Sequence, residues 1–318
     1  MPAPSAPLLL SRLRDGWRKN APELIGLFSG ALPAFVAASR PADVLEGIPV
    51  FCYHLVEAAA LRRDLEFLRR NGYRTLGAPA FLDHLEGGTS VSPRSVLLTF
   101  DDGPRNFFDV ALPLLREFQA QALVFAAPGL HADDDPAEEQ RDRPMTWREL
   151  GVAHRSGLVD VQSHTLESRY VPQWPAPAAL AGCAPALEAQ RRRATALPLA
   201  MDLARSQWLL EERLPGAVVR HLSFPMYHGT EEAVALARSL GFRACYWGYR
   251  EGRPLNTAGQ SPFYVSRLSD EFVRRLPGDG RASLLDLARE RARRIRAARH
   301  WARRYDAGPS ALHEGAAS

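Results

Sequence analysis

Two carboxylates stand side by side where an apolar run ends: Ser95-Val-Leu-Leu-Thr-Phe leads directly into Asp101, Asp102, Gly103 and Pro104. Adjacent residues leaving an extended strand point in different directions. The pair can therefore divide two tasks at one spot, one side chain holding a metal ion while the other takes a proton from the bound water. Gly103 lets the backbone turn sharply beneath them. An isolated Asp-Asp-Gly is more often a turn with a helix cap, so its meaning depends on what shares that end of the strand. The apolar run at 158–162 ends on Ser163, His164 and Thr165. This puts an imidazole, the commonest transition-metal side-chain ligand, at the same kind of position. Asp with His suits zinc or another divalent first-row ion.

Short apolar runs at 48–53, 95–100, 122–127, 158–162, 218–224, 243–247 and 263–267 predict strands, and helical patterns lie between them at 58–71, 107–119, 146–156, 203–214 and 231–240. Alternation of this kind indicates βαβ units and a parallel sheet. Seven strands without a G-x-G-x-x-G or Walker loop favour a barrel over a doubly wound open sheet. In a parallel α/β barrel the chemistry gathers at the C-terminal ends of the strands, where the Asp pair and His164 would meet.

The whole chain sets the bounds. At 318 residues, 46% hydrophobic and 24% charged, it has the mixture of a soluble globular protein, which excludes disorder and collagen. Its length allows either two domains or one barrel with tails. Composition divides it into a basic and then apolar extension (1–46), the α/β body (47–276, with an Ala/Pro-rich insertion at 171–199) and a basic helix with a disordered tail (277–318). The acidic stretch 131–144 predicts a solvated loop.

The net charge of +4 hides an asymmetry: nine arginines face Asp286, Glu290 and Asp306 between Arg281 and Asp306. That segment predicts a helix with Leu284, Ala288, Ile295, Ala298, Ala302 and Tyr305 near one face, packed on the body, or else drawn to anionic glycan or lipid headgroups. Nucleic-acid binding has no motif behind it. Cys52, Cys183 and Cys245, an odd number with no C-x-x-C, support neither a disulfide framework nor a zinc knuckle. Residues 21–39 follow Arg12, Arg14, Arg18 and Lys19 and fit a signal peptide, an interfacial anchor or a helix packed on the body.

The motifs resemble a known family. Thr99-Phe-Asp-Asp-Gly103 matches the first signature of the polysaccharide deacetylases (NodB homology domain, carbohydrate esterase family 4), and Ser163-His-Thr165 the start of the second. The resemblance runs from about residue 48 to 270 through Ile48-Pro-Val-Phe-Cys-Tyr-His54, Gly72-Tyr-Arg-Thr75, Met145-Thr-Trp147, Ser223-Phe-Pro225, Gly241-Phe-Arg-Ala244 and on to Arg267. It implies a distorted (β/α)7 barrel and metal-dependent hydrolysis of N-acetyl or O-acetyl groups on a carbohydrate polymer or glycan, which for the N-acetyl case is hydrolysis of carbon-nitrogen bonds other than peptide bonds. By position Asp101 is the general base, Asp102 and His164 are ligands of a divalent ion, most simply Zn with Co or Ni as alternatives, and the segment 224–229 supplies an oxyanion N–H and the wall for the acetyl methyl. Tyr53, His54, Phe224, Pro225, Trp247 and Arg267 are assigned to substrate binding, with Trp147, Tyr227 and Trp247 as sugar-stacking candidates.

The sequence departs from the family at the third ligand. The family's H-S/T-x-x-H is here His164-Thr-Leu-Glu-Ser168, which puts a hydroxyl at the position of the second histidine. Glu167, His228 and His131 are candidate replacements. The family's Pro-aromatic-Gly appears as Pro225-Met-Tyr-His-Gly229, with Tyr227 and His228 as candidate acids for the leaving amine; its late Leu-x-His has no match, and His300 is read as a surface residue. Two readings follow: a deacetylase with a rearranged ligand set, or a non-catalytic relative, without a metal, that binds a glycan or a protein. Work on envelope polysaccharide would place the protein at the cell envelope, whereas packing of residues 21–39 on the barrel would suit the cytoplasm.

Overall fold

Strands form where β-branched and aromatic residues run unbroken, and here the apolar runs of the central strands are buried on both faces, as a parallel sheet requires. The computed structural model describes residues 30–38, 45–88, 91–133, 143–168, 185–250 and 255–291, with Glu23, Ile25, Gly26, Ser29, Val171, Gly252 and Arg253 besides. The strands are β1 (Val50–Tyr53), β2 (Arg74–Thr75), β3 (Ser95–Asp102), β4 (Ala122–Ala126), β5 (Val159–Ser163), β6 (His221–Ser223), β7 (Ala244–Tyr246) and β8 (Leu268–Ser269). All pair in parallel in the order β7-β6-β5-β4-β3-β1-β8, with β2 added beside β3. Val265 bridges to Tyr246 while Leu268 pairs with Phe51, so the segment 265–269 draws the two edges of the sheet together into a distorted (β/α) barrel.

Two expectations change in detail. The strand expected at 263–267 is a 3-10 turn (Pro262–Tyr264), the single bridge at Val265 and then β8, while β2 is too short to leave an apolar pattern.

The helices are α1 (Ala34–Ala37), α2 (Ala58–Arg70), α3 (Ala78–Leu85), α4 (Leu112–Phe118), α5 (Trp147–His154), α6 (Pro185–Arg213) and α7 (Glu231–Ser239). Capping sets their starts: Thr146 and Glu149 form a reciprocal capping box on α5, and Thr230 caps α7. α6 begins within the stretch expected as an insertion, of which residues 172–184 lie outside the described residues. So do residues 1–22, most of the loop at 131–144, and 292–318, including His300.

Strand parity divides the core in two. Phe51, Tyr53, Leu98, Phe100, Val124 and Leu222 face the surrounding helices. Val50, Leu97, Leu123, Phe125, Ala244 and Tyr246 face inward and meet Ala78, Phe81, Leu82 and Leu85 of α3. Ala78 N–H donates to Asp160 at the start of β5 (2.9 Å), so α3 plugs the N-terminal end of the barrel. The opposite end is left for polar side chains.

Of the readings of residues 21–39, the one seen at 31–38 is packing on the barrel. Leu32, Phe35 and Val36 are buried, and the carbonyls of Phe35, Val36 and Ala38 accept hydrogen bonds from Arg275 and Arg281. The basic segment is helical over 284–291 and also lies on the barrel, through Glu290–Arg274 (2.7 Å) and Arg291–Glu271 (3.5 Å). Its buried face differs from expectation: Ala282 and Leu287 are inside, while Leu284 is 42% exposed and Ala288 is exposed. Among the described residues no helix is long and apolar enough to cross a membrane.

Candidate active site

β3 runs two residues past its apolar stretch and so delivers both aspartates to the open end of the barrel. Asp101 keeps the inward parity of Leu97 and Thr99 and is 1% exposed. Arg267, itself fully buried, grips it with both guanidinium nitrogens (Nη1 to Oδ1 2.6 Å, Nη2 to Oδ2 2.9 Å), while its Nε donates to the Trp247 carbonyl. The Cys52 thiol donates to Oδ2 (3.4 Å). Burial alone would raise the Asp101 pKa, but the Arg267 guanidinium, with His164 and His54 behind it, outweighs burial and holds the carboxyl well below the usual carboxylate range. The result is a fixed, ionised carboxylate.

Asp102 turns the other way. Its φ of +68° is the left-handed region that non-glycine residues seldom occupy, and its side chain is 48% exposed. Its Oδ1 lies 3.5 Å from His164 Nε2 and accepts a hydrogen bond from the Ser168 hydroxyl at 3.0 Å. His164 is buried at the end of β5, and its Nδ1 donates to the Ser223 carbonyl (3.0 Å), which leaves Nε2 with a bare lone pair. That lone pair faces a carboxylate oxygen, so a proton or a cation must lie between two acceptors. Bonds of about 2.1 Å to a near-tetrahedral ion place oxygen and nitrogen donors about 3.4 Å apart, close to the spacing found here. The residues therefore fit a divalent cation, with Ser168 as a third, neutral donor.

None of the candidate replacement ligands joins this pair. Among the described residues, the group of three His, Cys, Asp or Glu side chains close enough to share an ion is Cys52, His54 and Asp101; none contains Asp102. His131 lies behind Gly103, its Nδ1 on the Met145 carbonyl (2.6 Å) and its pKa pushed down to about 4 by burial. Glu167 is exposed beside Gly129, and His228 lines a separate cavity.

The wall is built by the turn after β6. Met226 and Tyr227 both have positive φ (56° and 69°), and the turn closes because Gly229 lies flat on the Phe224 ring and Gly248 on Tyr227, where any Cβ would collide at 2.5–2.6 Å. Tyr227 N–H and His228 N–H are spent inside the turn, on Phe224 and Pro225 carbonyls. The Tyr227 ring meets His54 edge-on (5.9 Å) and Arg267 (5.3 Å), and burial holds its hydroxyl proton well above the usual tyrosine range. Behind it a cavity of about 120 Å³ is lined by Glu23, Tyr227, His228, Trp247, Gly248, Tyr249 and Arg250.

Four expected substrate contacts are corrected. Tyr53 has the outward parity of β1, stacks on Phe100 and donates to Asp64 of α2, so it does not reach the site. Arg267 is committed to Asp101. Trp247 is buried under Tyr264 and Arg250, with its indole N–H on the Phe263 carbonyl, and Trp147 lies under Arg213 and against His131; neither is a free stacking face. Phe224 and Pro225 are buried wall, and His54 does face the site. The sequence reading missed Cys52, small and apolar in pattern, and Glu23, which accepts from Ser269 N–H (2.6 Å) and whose carboxyl burial pushes up to about 7.

Residues 88–245 match the family described as polysaccharide deacetylase. Over 124 residues the chain is 35% identical to the poly-beta-1,6-N-acetyl-D-glucosamine N-deacetylase of Escherichia coli (strain K12); the match takes in 36% of this chain and 18% of that protein, so it spans less than a fifth of the curated relative's length. Among solved structures, IcaB from Ammonifex degensii aligns with a TM-score of 0.60 and 23% identity over 75% of this chain and 99% of that one. The BpsB deacetylase domain from Bordetella bronchiseptica aligns with a TM-score of 0.56 and 22% identity over 72% and 98%. At these identities the likeness establishes the fold.

Proposed function

We propose that this chain, whose residues 88–245 form a polysaccharide deacetylase domain, hydrolyses N-acetyl groups on a carbohydrate polymer with the help of a divalent cation. The observation that carries the reading is the facing pair of acceptors, Asp102 Oδ1 and His164 Nε2, set beside an ionised Asp101.

Asp102, His164 and Ser168 would hold the ion, and zinc suits their number and spacing best. When bound, such an ion polarises an acyl carbonyl and lowers the pKa of water toward neutrality. Asp101 accepts the proton of the attacking water; Arg267 keeps it ionised and pinned in one orientation, at the cost of basicity. His54 brings a ring nitrogen within 4.8 Å of Asp101, and it can hand a proton to the departing amine while Tyr227 braces its ring. Tyr227 keeps its own proton at neutral pH and serves as a hydrogen-bond donor rather than an acid, and His228 lies toward the cavity beyond it. The buried Phe224 and Pro225 shape the space for the acetyl methyl. Because the proposed substrate is a polymer of acetylated sugars, we assign the work to the cell envelope; the packing of residues 31–38 on the barrel is compatible with either side of a membrane.

Ser168 favours a second reading, a barrel that binds glycan without turnover, because a neutral hydroxyl is a weaker donor than imidazole. Calorimetric titration with Zn²⁺ and Co²⁺, together with acetate release from N-acetylglucosamine oligomers, separates the two. Loss of the tighter binding event in Asp102→Ala, with acetate released by the natural chain, supports the hydrolase. If the natural chain binds no ion and Ser168→His restores binding, the deacetylase reading fails and the binding-only reading stands.

A further inference from the structure

The hydrolytic pair is rich in oxygen donors, yet the softest donor at the barrel mouth lies outside it. Cys52 is on the inward face of β1, directly across from Thr99 of β3, with its thiol 3.4 Å from Asp101 Oδ2. His54 follows two residues later with the same parity and stands at the rim, half-buried. One donor atom from each of Cys52, His54 and Asp101 lies within 4.8 Å of the other two.

We propose that Cys52, His54 and Asp101 form a second cation site, selective for thiophilic ions such as Cd²⁺ or excess Zn²⁺, and that an ion held there silences Asp101 as a base. Three features of the geometry carry this. Zinc–sulfur and zinc–oxygen bonds of about 2.3 and 2.1 Å meeting at a tetrahedral angle need sulfur and oxygen about 3.6 Å apart. Sγ and Oδ2 are already 3.4 Å apart, so the ion takes the place of the thiol proton between them without moving either strand.

The carboxylate also has room for it. Arg267 occupies one lone pair on each Asp101 oxygen, and each oxygen keeps a second. The half-buried imidazole, with a ring nitrogen no more than 4.8 Å from the other two donors, completes the third side by a rotation about its own side-chain bonds. Loss of the Cys52 proton to solvent, one per ion bound, supplies the negative charge that offsets the nearby guanidinium. Thiolate and imidazole select Zn²⁺ and Cd²⁺ over Mg²⁺ or Ca²⁺, whereas Asp102, His164 and Ser168 offer a single nitrogen and otherwise oxygen.

The binding claim stands on these residues alone; the inhibition claim rests on Asp101 acting as base in the function proposed above. The full-length chain, with Cys183→Ser as background, is titrated with Cd²⁺ while the ultraviolet thiolate-to-metal charge-transfer band is recorded. The band should appear in that background and in Asp102→Ala, disappear in Cys52→Ser, and require about tenfold or more Cd²⁺ in His54→Ala. Cadmium NMR of the native chain, which needs no variant to fold, should show a resonance shifted by sulfur ligation. A band that survives Cys52→Ser, or a native chain with no band and no sulfur-shifted resonance, overturns the proposal. Failure of the hydrolytic reading has a different mark: a Zn²⁺ stoichiometry that is the same in Asp102→Ala as in the natural chain. If Cd²⁺ binds through Cys52 yet acetate release continues at saturation, the inhibitory half is wrong.

Discussion

The two ends of the barrel are made from the same strands and are finished in opposite ways. At the N-terminal end α3 fills the interior with Phe81, Leu82 and Leu85, and several polar groups at the strand starts are paired with one another or with backbone. Asp160 caps Ala78, the Gln162 amide serves Arg220, His221 and Val218 backbone groups, and His221 pairs with the Tyr246 hydroxyl. At the C-terminal end the backbone is strained instead. Of the six described non-glycine residues with positive φ, Asp102, Thr165, Ser168, Met226 and Tyr227 are all there, and the sixth, Gln119, ends α4. Cavity size does not separate the ends in the same way: a cleft of about 440 Å³ between α3 and the starts of β5 to β7 lies at the relaxed end, against about 120 Å³ behind Tyr227. Strain and facing lone pairs mark the chemistry, and volume does not.

The sharpest way to break this contrast is to cut the ion pair that anchors the strained end. In Arg267→Met, burial, the largest influence on Asp101, acts unopposed and raises its pKa. In the natural chain that pKa is depressed, so the pair adds stability that is present above the ordinary carboxylate pKa and lost as pH falls toward the folded value. The variant should lose about 3–5 kcal/mol at neutral pH by urea denaturation, because a buried carboxylate is left unpaired. The deficit should shrink in acid, and the acid limb of the rate profile should move to higher pH. An unchanged acid limb would show that Asp101 is not the base.

The sequence exposes the strained end unevenly. Asp101, Asp102 and His164 are legible because each follows an apolar run directly, and the serine at 168 is legible as a departure from a spaced motif. Arg267 is not legible as the partner of Asp101, since 166 residues separate them and only barrel closure brings them together. The run Ile48 to Tyr53 is apolar throughout, as strands buried on both faces are, so it conceals that Cys52 faces the site and Tyr53 faces α2. The plugging role of α3 is hidden for the same reason: an amphipathic helix does not reveal which side of a sheet it covers.

The relaxed end should respond in stability and not in chemistry. Phe81 is fully buried and touches Tyr246 at 6.1 Å between ring centroids. Phe81→Ala removes the plug and should cost about 3 kcal/mol, measured by thermal or urea unfolding, since α3 can settle only partly into the gap. The rate constant of the folded fraction should stay as it is. A fall in kcat with unchanged stability would mean that the two ends are coupled through Phe125 and Tyr246, whose rings meet at a tilt (4.8 Å between centroids) between them.

The smallest effect tests whether matched polar groups at this end act one by one. Asp160 caps a helix that belongs to a different part of the chain, accepting from Ala78 N–H at 2.9 Å, and Gly77 at the cap position has no side chain to replace it. Asp160→Ala leaves that N–H facing the open cleft, where water can reach it, so the cost is that of one lost cap, about 1 kcal/mol. Asp160→Asn keeps the acceptor and gives up the charge near the helix start, and should recover most of the loss. If both variants were equally destabilised, the charge rather than the hydrogen bond would hold α3 in the barrel. The plug would then be an electrostatic dock, sensitive to salt, and hydrogen exchange at Ala78 would rise with ionic strength in the natural chain.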